Sequence, residues 1–71
     1  MFGSKQGKRA RLERIVELLN YSSGITQAEL ARQLGVAKST IQQDLQDLEA
    51  EGILIMEDGH GYLEIFENSW D

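Results

Sequence analysis

The chain has 71 residues, enough for one small domain, because a chain of this length buries only about 60% of the surface its unfolded form exposes and cannot support a second core. It contains no cysteine, which excludes a disulfide framework and a thiolate metal site, so the fold must rest on packing of aliphatic side chains. Twelve acidic residues against seven basic ones give a net charge of −5, and the longest run of aliphatic or Met residues, at 53–56, falls far short of the roughly 18–20 needed to span a bilayer.

Residues 1–7, with Gly3, Ser4 and Gly7, read as a flexible N-terminal end, and the cations within 8–14 interrupt any signal-peptide core, so a cytoplasmic location is expected. A first helix should begin near Gly7 or Lys8 and carry Leu12, Ile15, Val16 and Leu19 on one face, the stripe that closes a three-helix core. It should end within 20–24, and Ile25 is placed to form a short strand beside a later hairpin.

Thr26 followed three residues later by Glu29 is a capping box, in which hydroxyl and carboxylate satisfy backbone donors reciprocally. Leu30, Ala31 and Leu34 recur at helical spacing, and Gly35 sits where a left-handed residue lets the chain reverse at little steric cost. Val36 turns back into the core. The next helix spans about 37–51, with Ile41, Leu45 and Leu48 inward and Gly52 at its end. A small residue inside one helix, a Gly four positions on, Val next and Ile six beyond the Gly form the joint spacing of a helix-turn-helix. Residues 53–57 and 62–66 are rich in β-formers and flank Asp58-Gly59-His60-Gly61, whose two glycines can supply the positive φ of a tight hairpin. The expected architecture is mainly α with a small β-hairpin: a three-helix bundle plus wing over residues 8–67, followed by a C-terminal tail at 68–71.

Val36 to Leu45, with Leu48 and Gly52, resembles the recognition-helix region of DeoR-type repressors, and Gly59-His60-Gly61-Tyr62 resembles the wing of the biotin repressor. The resemblance covers about 12–66 and implies a winged helix-turn-helix that binds operator DNA, commonly as a dimer. Three positions depart from the DeoR-like pattern: Ala37 stands where a hydroxyl residue is usual, and Gln42 and Gln43 stand where arginines are usual.

Charge is divided along the chain. Residues 1–40 hold all seven cations and three acids, a balance of +4, whereas 41–71 hold nine acids and no Lys or Arg, a balance of −9. Nucleic-acid modules ordinarily carry a basic footprint, because neutralised phosphates release counterions. At about 100° per residue, with Ile41, Leu45 and Leu48 inward, the opposite face holds Ser39, Gln43 and Gln46, with Thr40, Gln42 and Asp47 to the sides. The N-terminal part of a recognition helix meets base edges, so Lys38, Ser39, Thr40, Gln42, Gln43 and Gln46 are the candidate readers of the major groove. Gln can bond adenine through N6 and N7, although a single exposed Gln is ordinarily just a good helix former.

Lys8, Arg9 and Arg11 form the dense part of a cation cluster that also includes Lys5 and Arg14, and they are candidate phosphate contacts together with Thr26, Gln27 and His60. The alternative for the cluster is a solvated helix end. Arg32 reads as a salt-bridge residue, with Asp44 as a possible partner. His60 lacks companion ligands for a metal, and no nucleophile motif, phosphate loop or cofactor motif is present, so no catalysis, metal or cofactor is expected. No small-molecule effector is evident, since the length leaves no room for a sensor domain. Two function classes follow: a transcriptional regulator binding double-stranded DNA as a homodimer, with Phe66 and Trp70 as an exposed apolar dimer patch, or an acidic winged helix that binds a basic protein partner and not DNA.

Overall fold

The computed structural model describes residues 4–68, with side chains from residue 7 onward; Trp70 lies outside the described residues. Its elements in chain order are α1 (Ser4–Tyr21), α2 (Gln27–Leu34), α3 (Lys38–Ala50), β1 (Ile53–Glu57) and β2 (Leu63–Asn68). Three helices are followed by an antiparallel two-stranded hairpin, the winged helix-turn-helix architecture. Helix α1 starts at Ser4, a turn earlier than the apolar stripe required.

Leu12, Ile15, Val16 and Leu19 of α1 are buried against Leu30 and Ala31 of α2, Ile41 and Leu48 of α3, and Ile53 and Leu63 of the two strands. Each helix contributes one apolar stripe, because 3.6 residues per turn brings i, i+3, i+4 and i+7 to one face, and each strand contributes its inward side. Asp44 stands in the same inward row of α3 as Ile41 and Leu48 and is the buried charged residue of the described core, 1% exposed.

That carboxylate is matched from α1. Arg11 Nε donates to Asp44 Oδ2, and Arg11 Nη2 donates to Asp44 Oδ1 at 3.0 Å. The two-pronged geometry suits a guanidinium and a carboxylate, and removing either partner from a buried pair leaves the other charge desolvated. Arg32 does not meet Asp44, as its position in the sequence allowed; it lies on the exposed side of α2 and binds Glu29 one turn away at 2.5 and 2.6 Å. An i,i+3 partner on its own helix is reached without crossing the core.

The turn of the helix-turn-helix is built locally. Thr26 Oγ1 accepts from Glu29 N at 3.1 Å, but Glu29 does not complete the reciprocal box, because its carboxylate is held by Arg32 and by Gln33 Nε2 at 2.8 Å. Gly35 is left-handed at φ 70° and ψ 33°, and its N–H bonds Ala31 O, as does Val36 N at 3.0 Å. Chain reversal there leaves Ala37 as the N-cap of α3 with no side-chain hydrogen bond to the first turn.

In the hairpin, Ile55 faces Ile65, while Leu54 pairs with Glu67, so Phe66 has no partner across the ladder and marks a β-bulge. Ile53 and Leu63 are buried, and Phe66, on the outward side, is 72% exposed. The turn is closed by Asp58 more than by glycine pairs. Asp58 Oδ1 accepts from His60 N at 2.8 Å and Tyr62 N at 2.9 Å, and Gly61 N bonds Asp58 O at 3.0 Å. Of the two loop glycines only Gly61 takes a positive φ, 87°. Ile25 contributes no strand; it accepts one bond from Leu63 N, at 2.7 Å, which fastens the α1–α2 connection to β2.

Two carboxyl groups so far described are held below their ordinary range. The backbone N–H of Tyr62, followed by that of His60, lowers Asp58, and the hydrogen bonds from Arg32 and Gln33 lower Glu29. A lowered folded-state value means that stability from these groups is complete above the ordinary carboxylate range and is lost as pH falls through the folded-state values. The thermal midpoint is expected to hold from pH 7 to 5 and fall below pH 4. In Asp58→Asn, with no charge left to titrate at that turn, the fall should be smaller. A midpoint that rises on acidification, or an identical acid profile in Asp58→Asn, contradicts this role for Asp58.

Candidate functional site

The surface with the most concentrated recognition chemistry is the outward face of α3. Lys38, Ser39, Gln42, Gln43 and Gln46 are exposed and Thr40 is half-buried, so the residues expected to read bases do share one helix and its solvent side. Lys38 is, among the described side chains, the cation without a carboxylate partner. The other five are closed: Lys8 on Asp47, Arg9 on Glu51, Arg11 on Asp44, Arg14 on Glu17 and Arg32 on Glu29.

Lys38 opens α3, where the first-turn amides point out of the helix and Ala37 supplies no side-chain acceptor. The amides of Lys38 and Ser39, the positive end of the helix dipole and the Lys38 ammonium at one place suit a phosphate oxygen, while Thr40 N already bonds Ala37 O. Thr26 and Gln27 open α2. The Thr26 hydroxyl accepts the cap bond from Glu29 N, and Gln27 Nε2 reaches Glu57 Oε1 of the wing at 3.4 Å. Gln27 also joins Gln42 and Gln46 around a shallow cleft of about 270 Å³ bounded by Leu45, Glu49 and Ile55, whereas Gln43 stands apart from it. His60 is exposed at the wing tip, with its ring 5.9 Å from that of Tyr62, and no cation accompanies it on the wing.

Behind this face Asp44, Asp47 and Glu51, which sequence reasoning did not assign to the site, meet the three cations expected to contact phosphates. Lys8 Nζ is 2.5 Å from Asp47 Oδ2, Arg9 Nη1 is 2.7 Å from Glu51 Oε1, and Arg11 grips Asp44. The three pairs form a ladder along the crossing of α1 and α3. Lys8 and Arg9 are solvated, so each of their pairs contributes little to stability on its own. Their larger effect is on charge: three of the acids that make the second half of the chain so negative each face a cation. Hydrogen bonds from Lys8 first and Gln43 second hold the Asp47 carboxyl below its usual range. Lys8, Arg9 and Arg11 therefore already have anionic partners, and a phosphate has to compete with a carboxylate for each of them. The signal available in the sequence was the spacing of 8 and 11 on one helix against 44, 47 and 51 on another, together with the position of Asp44 among inward residues.

Among the described residues no group of three His, Asp or Glu side chains is placed to hold a metal ion, and no helix is long and apolar enough to cross a membrane. No curated protein and no solved structure matches the chain significantly. A family model described as an HTH domain matches residues 11–63, which run from the arginine that clamps Asp44 to the first residue of β2. The chain belongs to this family of helix-turn-helix domains, a DNA-binding fold.

Proposed function

We propose that the domain is a sequence-specific transcriptional regulator that lays α3 in the major groove of double-stranded DNA and acts as a homodimer. The observation that supports this reading best is the neutral first part of the outward face of α3: Ser39, Gln42, Gln43 and Gln46 are exposed there, Asp44, Asp47 and Glu51 are turned to the cations of α1, and the exposed Glu49 stands toward the far end of the helix. A helix whose acids pointed outward would repel phosphates. Backbone contacts fall to Lys38, the first-turn amides of α3, Thr26 and Gln27, with His60 reaching from the wing. Lys8, Arg9 and Arg11 serve by screening the carboxylates of α3 from the phosphates.

The competing reading is an acidic adaptor for a basic protein. It draws on the outer face of the hairpin, where Met56 and Phe66 are exposed near Glu57, Glu64 and Glu67. Mobility shifts on random duplex DNA over a range of salt separate the two. The regulator binds at low salt with a shallow dependence, because each ionic phosphate contact changes the slope of log K against log salt by about 0.9 and Lys38 is, among the described side chains, the unpaired cation. Lys38→Ala should flatten the slope by that amount per protomer. Absence of binding at low salt rejects the regulator, and a slope several times steeper means that the α1 cations leave their carboxylates for phosphates.

Homodimerisation is assigned to the outward patch at Phe66, which the bulge leaves without a cross-strand neighbour; Trp70, the other residue that the sequence suggests for it, lies outside the described residues. Sedimentation velocity should give a dimer for the parent chain and a monomer for Phe66→Glu. A monomeric parent at concentrations above those that saturate DNA removes the dimer from the account.

A further inference from the structure

Three glutamines face outward from α3, and one of them is held. Gln43 Nε2 donates to Asp47 Oδ1 at 3.2 Å, and the other oxygen of Asp47 is 2.5 Å from Lys8 Nζ. The chain of contacts runs from α1 through a carboxylate to the middle of the proposed reading face. Among the described residues, Gln42 and Gln46 have no comparable side-chain bond.

An unconstrained glutamine loses rotamer freedom when it binds a base edge, a cost that an already ordered side chain largely avoids. Orientation also decides what is read. With one N–H of Nε2 given to Asp47, the Gln43 carboxamide keeps a single N–H and the whole of Oε1, so its acceptor is the group that the contact leaves fully available. In the major groove the donors that meet an acceptor are the exocyclic amino groups, N6 of adenine and N4 of cytosine; guanine O6 and thymine O4 are themselves acceptors.

We propose that Gln43 is a specificity-determining residue that reads an amino base, adenine or cytosine, on the contacted strand, and that Asp47, steadied by Lys8, is its positioning residue. The inference rests on the DNA-binding reading above and goes beyond it by naming the held reader and the base chemistry it takes. Asp47 makes no DNA contact in this account; its role is to keep the amide nitrogen of Gln43 turned inward.

The test selects binding sites from a duplex library with a randomised centre, using the full chain and the variants Gln43→Ala, Asp47→Ala, Asp47→Asn and Glu49→Ala. Asp47→Asn keeps a side-chain carbonyl that can accept from Gln43 but loses the ion pair with Lys8, so both Asp47 variants share any loss of stability. The parent should prefer A or C over G or T at the base pair that Gln43→Ala relaxes. Asp47→Ala should lose that same preference by about tenfold with neighbouring positions intact, and Asp47→Asn and Glu49→Ala should retain it. Retention of the preference in Asp47→Ala, equal losses in Asp47→Ala and Asp47→Asn, or a parental preference for G or T at that pair overturns the proposal while leaving DNA binding in place. If the parent enriches no sequence at all, the DNA-reading role of α3 fails and the proposal fails with it.

Discussion

The buried contact between Arg11 and Asp44 is the constraint on which the rest of the arrangement depends. A carboxylate in the inward row of α3, 1% exposed, is tolerable only if a cation with matching geometry reaches it, because an isolated charge in such a place costs several kcal/mol. Arg11 meets that need from α1 while remaining 23% exposed itself. Hydrophobic side chains would pack over a range of helix offsets, whereas two directional N–H···O bonds accept one. With that offset set, Lys8 comes to Asp47 and Arg9 to Glu51, and the face of α3 opposite the core is the one turned to solvent.

Charge balance explains how a chain of net charge −5 can present a surface suited to DNA. The formal sum describes the molecule at a distance, but at contact distance what matters is which groups are paired and which way they face. Cations of α1 cancel acids of α3 at the helix crossing, and the outward side is left with hydroxyls, amides, Lys38 and, toward its far end, Glu49. In the proposed complex, affinity built this way would lean on hydrogen bonds to bases and backbone more than on counterion release. The acidic hairpin stays uncompensated, and its turn, held by Asp58, carries no Lys or Arg toward a phosphate.

Much of the fold was legible in the sequence because its signals are local. The stripe of Leu12, Ile15, Val16 and Leu19, the Thr26 cap and the left-handed Gly35 each depend on residues within two turns of one another, and the three helices and hairpin follow from them. The grouping of Lys38, Ser39, Gln43 and Gln46 on one face was equally a matter of helical period. The ladder was not legible in that way. Arg11 and Asp44 are 33 residues apart and Arg9 and Glu51 are 42 apart, so their meeting depends on the packing of α1 on α3, and Arg32 looked equally available to Asp44. The bulge at Phe66 escaped for a similar reason: strand register depends on the partner strand, and nothing in 63–68 alone marks the residue that drops out of the ladder.

Urea unfolding of Arg11→Met and Asp44→Leu tests the central claim most directly. Arg11→Met leaves a buried carboxylate without its cation and should cost about 3 kcal/mol, the low end of the range for a broken buried pair because Arg11 is partly exposed. Asp44→Leu places an apolar side chain among Ile41 and Leu48 and frees an arginine whose head can reach water, so it should cost clearly less. Equal losses in the two variants, or both lying within about 0.5 kcal/mol of the parent as an ordinary surface change would, contradict the account.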